Sequence, residues 1–171
     1  MLMETPDTII TYNMINKNFF MTYRLDKVTI RLKNDAEGIG KISELFADIT
    51  SGKIPLLFNS NKELIEGIAP VSEYSNYESN ETGEYDLSVI AVEKDFFKNL
   101  ESEVSQGKFI KYDIAGDDVI TCAQNAWKQV WQDQRNEKIN RTFNIDYEST
   151  VPKEFTHDGK AHCMLYIGVK P

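Results

Sequence analysis

Hydrophobic and polar positions alternate along some stretches of the chain and recur every three to four residues along others. Alternation predicts strands, and the longer period predicts helices. In the first half, these patterns predict a strand at 19–32, a helix at 35–52 and strands at 64–77 and 84–93. The third element is expected to be interrupted at Gly67 or Pro70, because proline cannot donate a hydrogen bond inside a sheet.

The same order of elements returns in the second half. A short amphipathic helix at 94–107 leads to a strand at 108–114, a long helix that opens at 116–118, and strands at 142–149 and 161–169. We therefore expect an α+β fold of two pseudo-symmetric β-α-β-β modules with mostly antiparallel strands and the helices on one face. Module one covers about 19–93, module two covers about 108–171, and residues 1–18 form a lead-in. A ligand cleft can form between such modules.

The stretch 141–149 carries the clearest chemical signal. As a strand it has an apolar face and a polar face, formed by Phe143, Ile145 and Tyr147 and by Asn144, Asp146 and Glu148. Two carboxylates on one face raise the cost of ionising each other. A wet face would make them ordinary solvated side chains, whereas a cavity would make them a site for a cation. Because Asp and Glu are rarely buried unless paired, both interpretations stay open.

Composition narrows the class of protein. The 171 residues are 41% hydrophobic and 27% charged, and the net charge is −8. A field of that sign repels phosphate backbones, which argues against a direct nucleic-acid partner. No apolar run approaches the ~20 residues that span a bilayer. The first residues lack a positive region typical of a secretory signal, so we expect a cytoplasmic protein without a membrane partner.

The remaining chemical motifs are few. Cys122 and Cys163 are expected to be buried thiols and not a disulfide. The two histidines, His157 and His162, do not form a known metal-ligand spacing, and the sequence contains no P-loop, dinucleotide fingerprint or nucleophile elbow. We therefore expect neither a metal nor a cofactor.

Four segments in order resemble one family. The segment 74–85, YSNYESNETGEY, is similar to the Y-x-x-Y-E-S-(D/N)-x-x-G-x-Y signature of AraC-type effector-binding domains in their integron-associated and gyrase-inhibitor-like branch. The segment 141–148 resembles that branch's R-x-Y-x-x-D-F-E, 126–131 resembles its second-helix aromatic pattern, and 166–170 resembles its closing Y-I-P-V-K. Gly168 stands where the family usually has proline.

The resemblance implies a single effector-binding domain at 19–171, with a ligand cleft and a glutamate that meets lipophilic, drug-like cations. Here that glutamate matches Glu148. The other candidate ligand-binding residues are Trp127, Trp131, Tyr85, Tyr166 and Asp146. Trp127 and Trp131 lie four residues apart and so share one helix face, and tyrosine combines a large flat contact with a polar tip. By strand alternation Tyr147 points away from Glu148, into the core.

The leading hypothesis is a stand-alone domain that binds hydrophobic, cationic small molecules and serves transcription regulation or sequesters toxic compounds. One alternative is a small-molecule hydrolase in which Glu148 and a cleft tyrosine activate water. A second alternative is a protein-interaction module similar to gyrase inhibitors. A further possibility is that Glu148 simply pairs with Arg141 or a lysine.

Overall fold

The computed structural model describes residues 26–171, which form two compact units. Unit 1 comprises the described residues up to Lys94, and unit 2 comprises Asp95–Pro171. The predicted lead-in at 1–18 and the predicted strand residues 19–25 lie outside the described part. Within residues 26–171, none of the helices has the length and apolar character needed to cross a membrane.

Unit 1 consists of a strand, a helix and two further strands. These are β1 (Lys27–Lys33), α1 (Ala36–Thr50), β2 (Ile68–Ser75) and β3 (Glu84–Glu93). The strands are antiparallel in the order β1-β3-β2. Helix α1 packs on one face of this sheet, where Leu45 and Ile49 meet Val28 and Val89.

The interruption expected at Gly67 or Pro70 falls at Gly67 and not at Pro70, because β2 begins at Ile68 and runs through Pro70. Pro70 lies opposite Ala91 of β3, and the Ala91 N–H donates to the carbonyl of Asp26 on the β1 side (2.9 Å). The pair between Pro70 and Ala91 is therefore not hydrogen-bonded in the antiparallel ladder, and the missing proline N–H is not needed there. Gly67, with φ of 80°, immediately precedes the strand.

Unit 2 repeats this order after a connecting helix. Helix α2 (Lys94–Ser105) is followed by β4 (Phe109–Gly116), α3 (Val119–Arg135), β5 (Arg141–Val151) and β6 (Ala161–Val169), with a short 3-10 turn at Lys153–Phe155. Its antiparallel order is β4-β6-β5, the same first-third-second order as in unit 1. The predicted α+β fold of two similar antiparallel modules is confirmed, and the cleft stays a prediction.

The two helices of unit 2 lie on opposite faces of its sheet. Helix α3 packs against Leu165, Ile167 and Cys163, which share one face. Helix α2 places Leu100 against Tyr166 and Phe109 on the other face. The expectation that the helices share one face is therefore wrong for unit 2, because the connecting helix covers the second face. Both Cys122 and Cys163 are buried free thiols, as predicted.

Each of the helices α1 and α3 begins at an aspartate cap. Asp35 accepts from the Gly38 N–H, and Asp118 accepts from the Thr121 N–H, both at 2.8 Å. The isoleucines in the first turns, Ile39 and Ile120, were assigned to the apolar stripes but are 62% and 68% exposed. The buried positions of the two helices are others, Gly38, Leu45 and Ile49 in α1 and Cys122, Ala126 and Val130 in α3, so neither isoleucine lies on the buried face.

Candidate functional site

Strand β5 contains an irregularity just before its two carboxylates. The pairing with β6 shifts register between Arg141 and Asp146, and Phe143 has φ of 53°. A residue other than glycine in this left-handed region is uncommon and marks a bulge or strain. The simple alternation predicted for the strand therefore fails at Phe143. Ile145 and Tyr147 do reach the core beneath α2, as expected.

Asp146 is a buried partner in an ion pair. It is fully buried, and one of its oxygens accepts from an Arg141 guanidinium nitrogen at 2.7 Å. Its other oxygen accepts from the backbone N–H of Gly168 at 2.9 Å. The guanidinium lies 4.3 Å from the Phe143 ring and 5.8 Å from the Trp127 ring. These contacts compensate the buried charge, so Asp146 organises the strand and is not open to a ligand.

Gly168, which departs from the resembled pattern, fits this arrangement physically. Its N–H is the donor to Asp146, and proline would remove that donor. A Cβ atom at this position would lie 2.7 Å from the carbonyl oxygen of Ile145 and 2.8 Å from the hydroxyl oxygen of Thr142. The bulged strand therefore requires a residue without a side chain at Gly168.

Glu148 lies next to Asp146 on the same sheet face, as predicted. It stands opposite Leu165 in the β5–β6 pairing, so its side chain is directed towards α3. The carboxylate is half-buried, and it accepts a hydrogen bond of 2.5 Å from the indole N–H of Trp127. The two carboxylates thus differ in burial, since Asp146 is fully buried beside a guanidinium and Glu148 is half-buried beside an indole.

The two tryptophans of α3 form one continuous aromatic surface. Their ring centroids lie 6.2 Å apart, as expected for residues four apart on a helix. Trp127 is half-buried against the core of unit 2, whereas Trp131 is 37% exposed. Glu148, Trp127 and Trp131 are therefore the candidate residues that the structure brings together.

The two candidate tyrosines lie elsewhere. Tyr166 is on the opposite sheet face from Glu148, is 1% exposed, and donates to Glu101 of α2 at 2.9 Å. Burial raises the pKa of the Tyr166 hydroxyl, and the bond to Glu101 adds to this rise. Tyr85 is 2% exposed in the core of unit 1 and donates to the Asn34 side chain at 2.6 Å. Neither ring offers surface to a ligand, so their assignment to the binding surface is corrected.

The segment 74–85 has a structural role in unit 1. The rings of Tyr74 and Tyr77 each lie 5.7 Å from that of Tyr85, which joins the connection to the core. The Glu78 carboxylate accepts from the Glu84 N–H at 3.1 Å. A Cβ atom at Gly83 would meet the Ser79 hydroxyl at 2.7 Å. The segment 74–85 therefore shapes the β2–β3 connection of unit 1.

A groove of about 290 Å³ lies beside the bulge of unit 2. Thr142, Ile145, Gly168 and Phe109 contribute to its walls, and Glu148 does not. The carboxylate of Glu148 therefore belongs to the α3 side of β5, separate from this groove.

Comparison with known proteins gives no further identification. No family model, no curated protein and no solved structure matches the chain. The similarity to AraC-type effector-binding domains stays a prediction that rests on the four quoted segments.

Arg141 is the residue whose role the sequence analysis missed. It was considered as a partner for Glu148, and the structure also places it 2.7 Å from Asp146, five residues along the same strand. The signal that could have suggested this pair was the rule that a buried carboxylate needs a cation nearby. The bulge that brings Arg141 to Asp146 contains no glycine or proline, so the sequence gives no signal for it.

Proposed function

We propose that this chain is a small-molecule-binding domain for hydrophobic, cationic compounds and that Glu148 meets the positive charge. The observation that most supports this is the carboxylate of Glu148, held at 2.5 Å by Trp127 beside the exposed edge of Trp131. A carboxylate next to aromatic rings offers a cation both charge compensation and cation–π attraction.

The hydrogen bond from Trp127 orients Glu148 without cancelling its charge. An indole N–H is a neutral donor. The neighbouring carboxylate of Asp146 is fully buried and lies 2.7 Å from Arg141, so Glu148 is the more accessible of the two carboxylates. An organic cation beside a half-buried carboxylate gains charge compensation in a partly apolar setting.

The resemblance implies that such binding serves either a sensor linked to transcription regulation or a protein that sequesters toxic compounds. Both roles are part of this proposal. The hydrolase alternative needs a tyrosine hydroxyl at Glu148. The hydroxyls of Tyr166 and Tyr85 donate to Glu101 and Asn34, so neither of these two proposed cleft tyrosines supports the hydrolase alternative.

The test replaces Glu148 with Gln and measures affinity by calorimetry for benzyltrimethylammonium and for its neutral carbon isostere, neopentylbenzene. A buried charge partner is worth ~2–5 kcal/mol and an exposed one ~0–1 kcal/mol. For the half-buried Glu148 we expect the affinity for the cation to fall about tenfold or more, where tenfold is ~1.4 kcal/mol. The neutral isostere should lose little.

Glu154→Gln is the matched control, because it removes the same charge from an exposed residue on the 3-10 turn. It should leave both affinities unchanged. An equal loss for both ligands in Glu148→Gln would mean that Glu148 shapes the surface without sensing charge. If the unmodified protein binds neither probe, the binding proposal is wrong for this ligand class.

A further inference from the structure

His162 on β6 lies between two carboxylates at the surface of unit 2. Its Nδ1 is 2.8 Å from an Asp113 oxygen on β4, and its Nε2 is 2.9 Å from an Asp158 oxygen in the connection between β5 and β6. Ionised carboxylates only accept hydrogen bonds, whereas a neutral imidazole has a single N–H. Both bonds therefore exist together only when His162 is the imidazolium cation.

The connection at 152–160 is a compact loop with its own hydrogen bonds. The second oxygen of Asp158 accepts from the Lys160 N–H at 3.0 Å, and the Thr156 hydroxyl donates to the Lys160 carbonyl at 2.7 Å. Because Asp158 is fixed within the loop, its bond to His162 attaches the loop as a body to the sheet. Asp113 anchors the other side of the imidazole on β4.

We propose that His162 is a pH-operated latch that fastens the 152–160 connection to β4 in its protonated form and releases it on deprotonation. The latch is independent of the binding proposal for Glu148. Its residues face away from α3, since Asp113 and His162 belong to the sheet face that α2 partly covers.

The charged groups around the imidazole favour its protonated form. Asp113 and then Asp158 raise the pKa of His162 through their hydrogen bonds. The Lys160 N–H and then His162 lower the pKa of Asp158 to about 2. Among the cations nearby in the chain, Lys111 lies two residues before Asp113 on β4 and bonds to Glu101 of α2, and Lys160 lies in the loop two residues after Asp158.

These directions define the pH window of the latch. The raised pKa of His162 makes its contribution complete below the unfolded value of about 6.5, and that contribution is lost as the pH rises through the folded pKa. The lowered pKa of Asp158 makes its contribution complete above the unfolded value of about 3.9. The stabilising contribution of the latch is therefore complete between about pH 4 and pH 6.5, and the latch opens as the pH rises through the raised folded pKa of His162.

Opening the latch changes the mobility of the loop at 152–160 relative to β4. Phe155 in the 3-10 turn is already 80% exposed. Deprotonation removes one of the two bonds to the imidazole, so the loop gains freedom relative to β4 while its internal bonds remain. The latch thus makes the mobility of the loop that carries the exposed Phe155 ring depend on the pH of the solution.

The test is hydrogen exchange of the loop amides by NMR between pH 5.5 and 8.5, corrected for the intrinsic pH dependence of exchange, with His162 titrated in the same samples. We expect protection at 153–160 to fall about threefold or more as His162 loses its proton. His162→Gln should show low protection without a pH-dependent change, and Asp158→Asn should lower the pH at which His162 titrates. His157→Gln alters the other histidine of the loop and should behave like the unmodified protein.

Two outcomes would overturn the latch. One is unchanged loop protection while His162 titrates in the unmodified protein. The other is a pH-dependent loss in His162→Gln equal to that of the unmodified protein, which would assign the effect to another group.

Discussion

The two units share a strand order and a capped helix, but they use the helix-facing side of their second strand differently. In unit 1, β2 places Ser72 and Tyr74 beside the apolar residues of β3. In unit 2, the corresponding face of β5 carries Asp146 and Glu148 towards α3. The helix-facing side of the second strand is therefore uncharged in unit 1, whereas in unit 2 it is charged and lies beside the α3 tryptophans. This difference makes unit 2 the better candidate for a functional site.

The opposite faces of the sheets show the reverse distribution. In unit 1 this face carries cross-strand ion pairs, Lys27 with Glu73 at 2.9 Å and Arg31 with Asp86 at 3.0 Å. In unit 2 it is covered by α2 and holds a cluster around Tyr166. Charged pairs at partly exposed sites need little support, whereas the charges beneath α3 required a bulge, a left-handed Phe143 and a glycine at 168. Local backbone strain of this kind is typical of functional regions.

The largest effect that separates the units is expected from their ion pairs. Asp146→Asn removes the carboxylate that lies 2.7 Å from the buried Arg141 guanidinium and should lower the free energy of unfolding by ~3–5 kcal/mol. Asp86→Asn removes one of the two carboxylates that pair with Arg31, whose side chain is 29% exposed, and should cost ~0–1 kcal/mol. Urea unfolding curves of the two variants measure this difference. Equal losses would show that the two pairs are energetically alike and that unit 2 is not specialised.

A smaller effect is expected from the helix caps. Asp35 and Asp118 cap the two helices at the same spacing, but the capped residue is Gly38 in unit 1 and Thr121 in unit 2. A Cβ atom at Gly38 would lie 1.9 Å from the Lys33 carbonyl oxygen, a backbone atom. Gly38→Ala should therefore destabilise the protein by ~1–3 kcal/mol, as overpacking does.

Gly40→Ala is the matched control in the same helix, because a Cβ atom there meets nothing within 4 Å. It should stabilise the protein by ~0.4–1 kcal/mol through the unfolded state. Thermal unfolding of both variants decides the comparison. A neutral Gly38→Ala would mean that the entry to α1 shifts freely, and that the close approach to Lys33 imposes no constraint.

Periodicity was sufficient for the fold. The helices and strands of the described part follow from apolar spacing, because those patterns report which face must be buried. The faces of Asp146 and Glu148 were also predictable, since the bulge lies before both of them. Phe143 was not, because a bulge without glycine leaves no local signal.

The composition of the candidate site was predictable only in part. Trp127 and Trp131 follow from helical spacing, and Glu148 follows from strand alternation. The assignment of Tyr85 and Tyr166 failed because a tyrosine that binds a ligand and one that fills a core look alike in sequence. The Tyr85 hydroxyl donates to Asn34 and the Tyr166 hydroxyl donates to Glu101. Both acceptors lie far along the chain, so no local sequence pattern indicates these bonds.

The smallest expected effect concerns the sheet face of unit 2 that α2 covers. Glu101 of α2 accepts from the Lys111 ammonium and from the Tyr166 hydroxyl (2.9 Å), and the bond from Lys111 is the main cause that lowers the pKa of Glu101. A lowered folded pKa means that this stability is complete above the unfolded value of about 4.3 and is lost as the pH falls through the folded pKa. Glu101→Gln should therefore cost ~0–1 kcal/mol at pH 7, because the Glu101 side chain is 48% exposed, and the difference from the unmodified protein should shrink towards pH 3. Urea unfolding at a series of pH values measures it. A difference that stays constant from pH 7 to pH 3 would assign the role of Glu101 to its shape, and α2 would then be held to the sheet by the apolar contacts of Phe96, Leu100 and Val104.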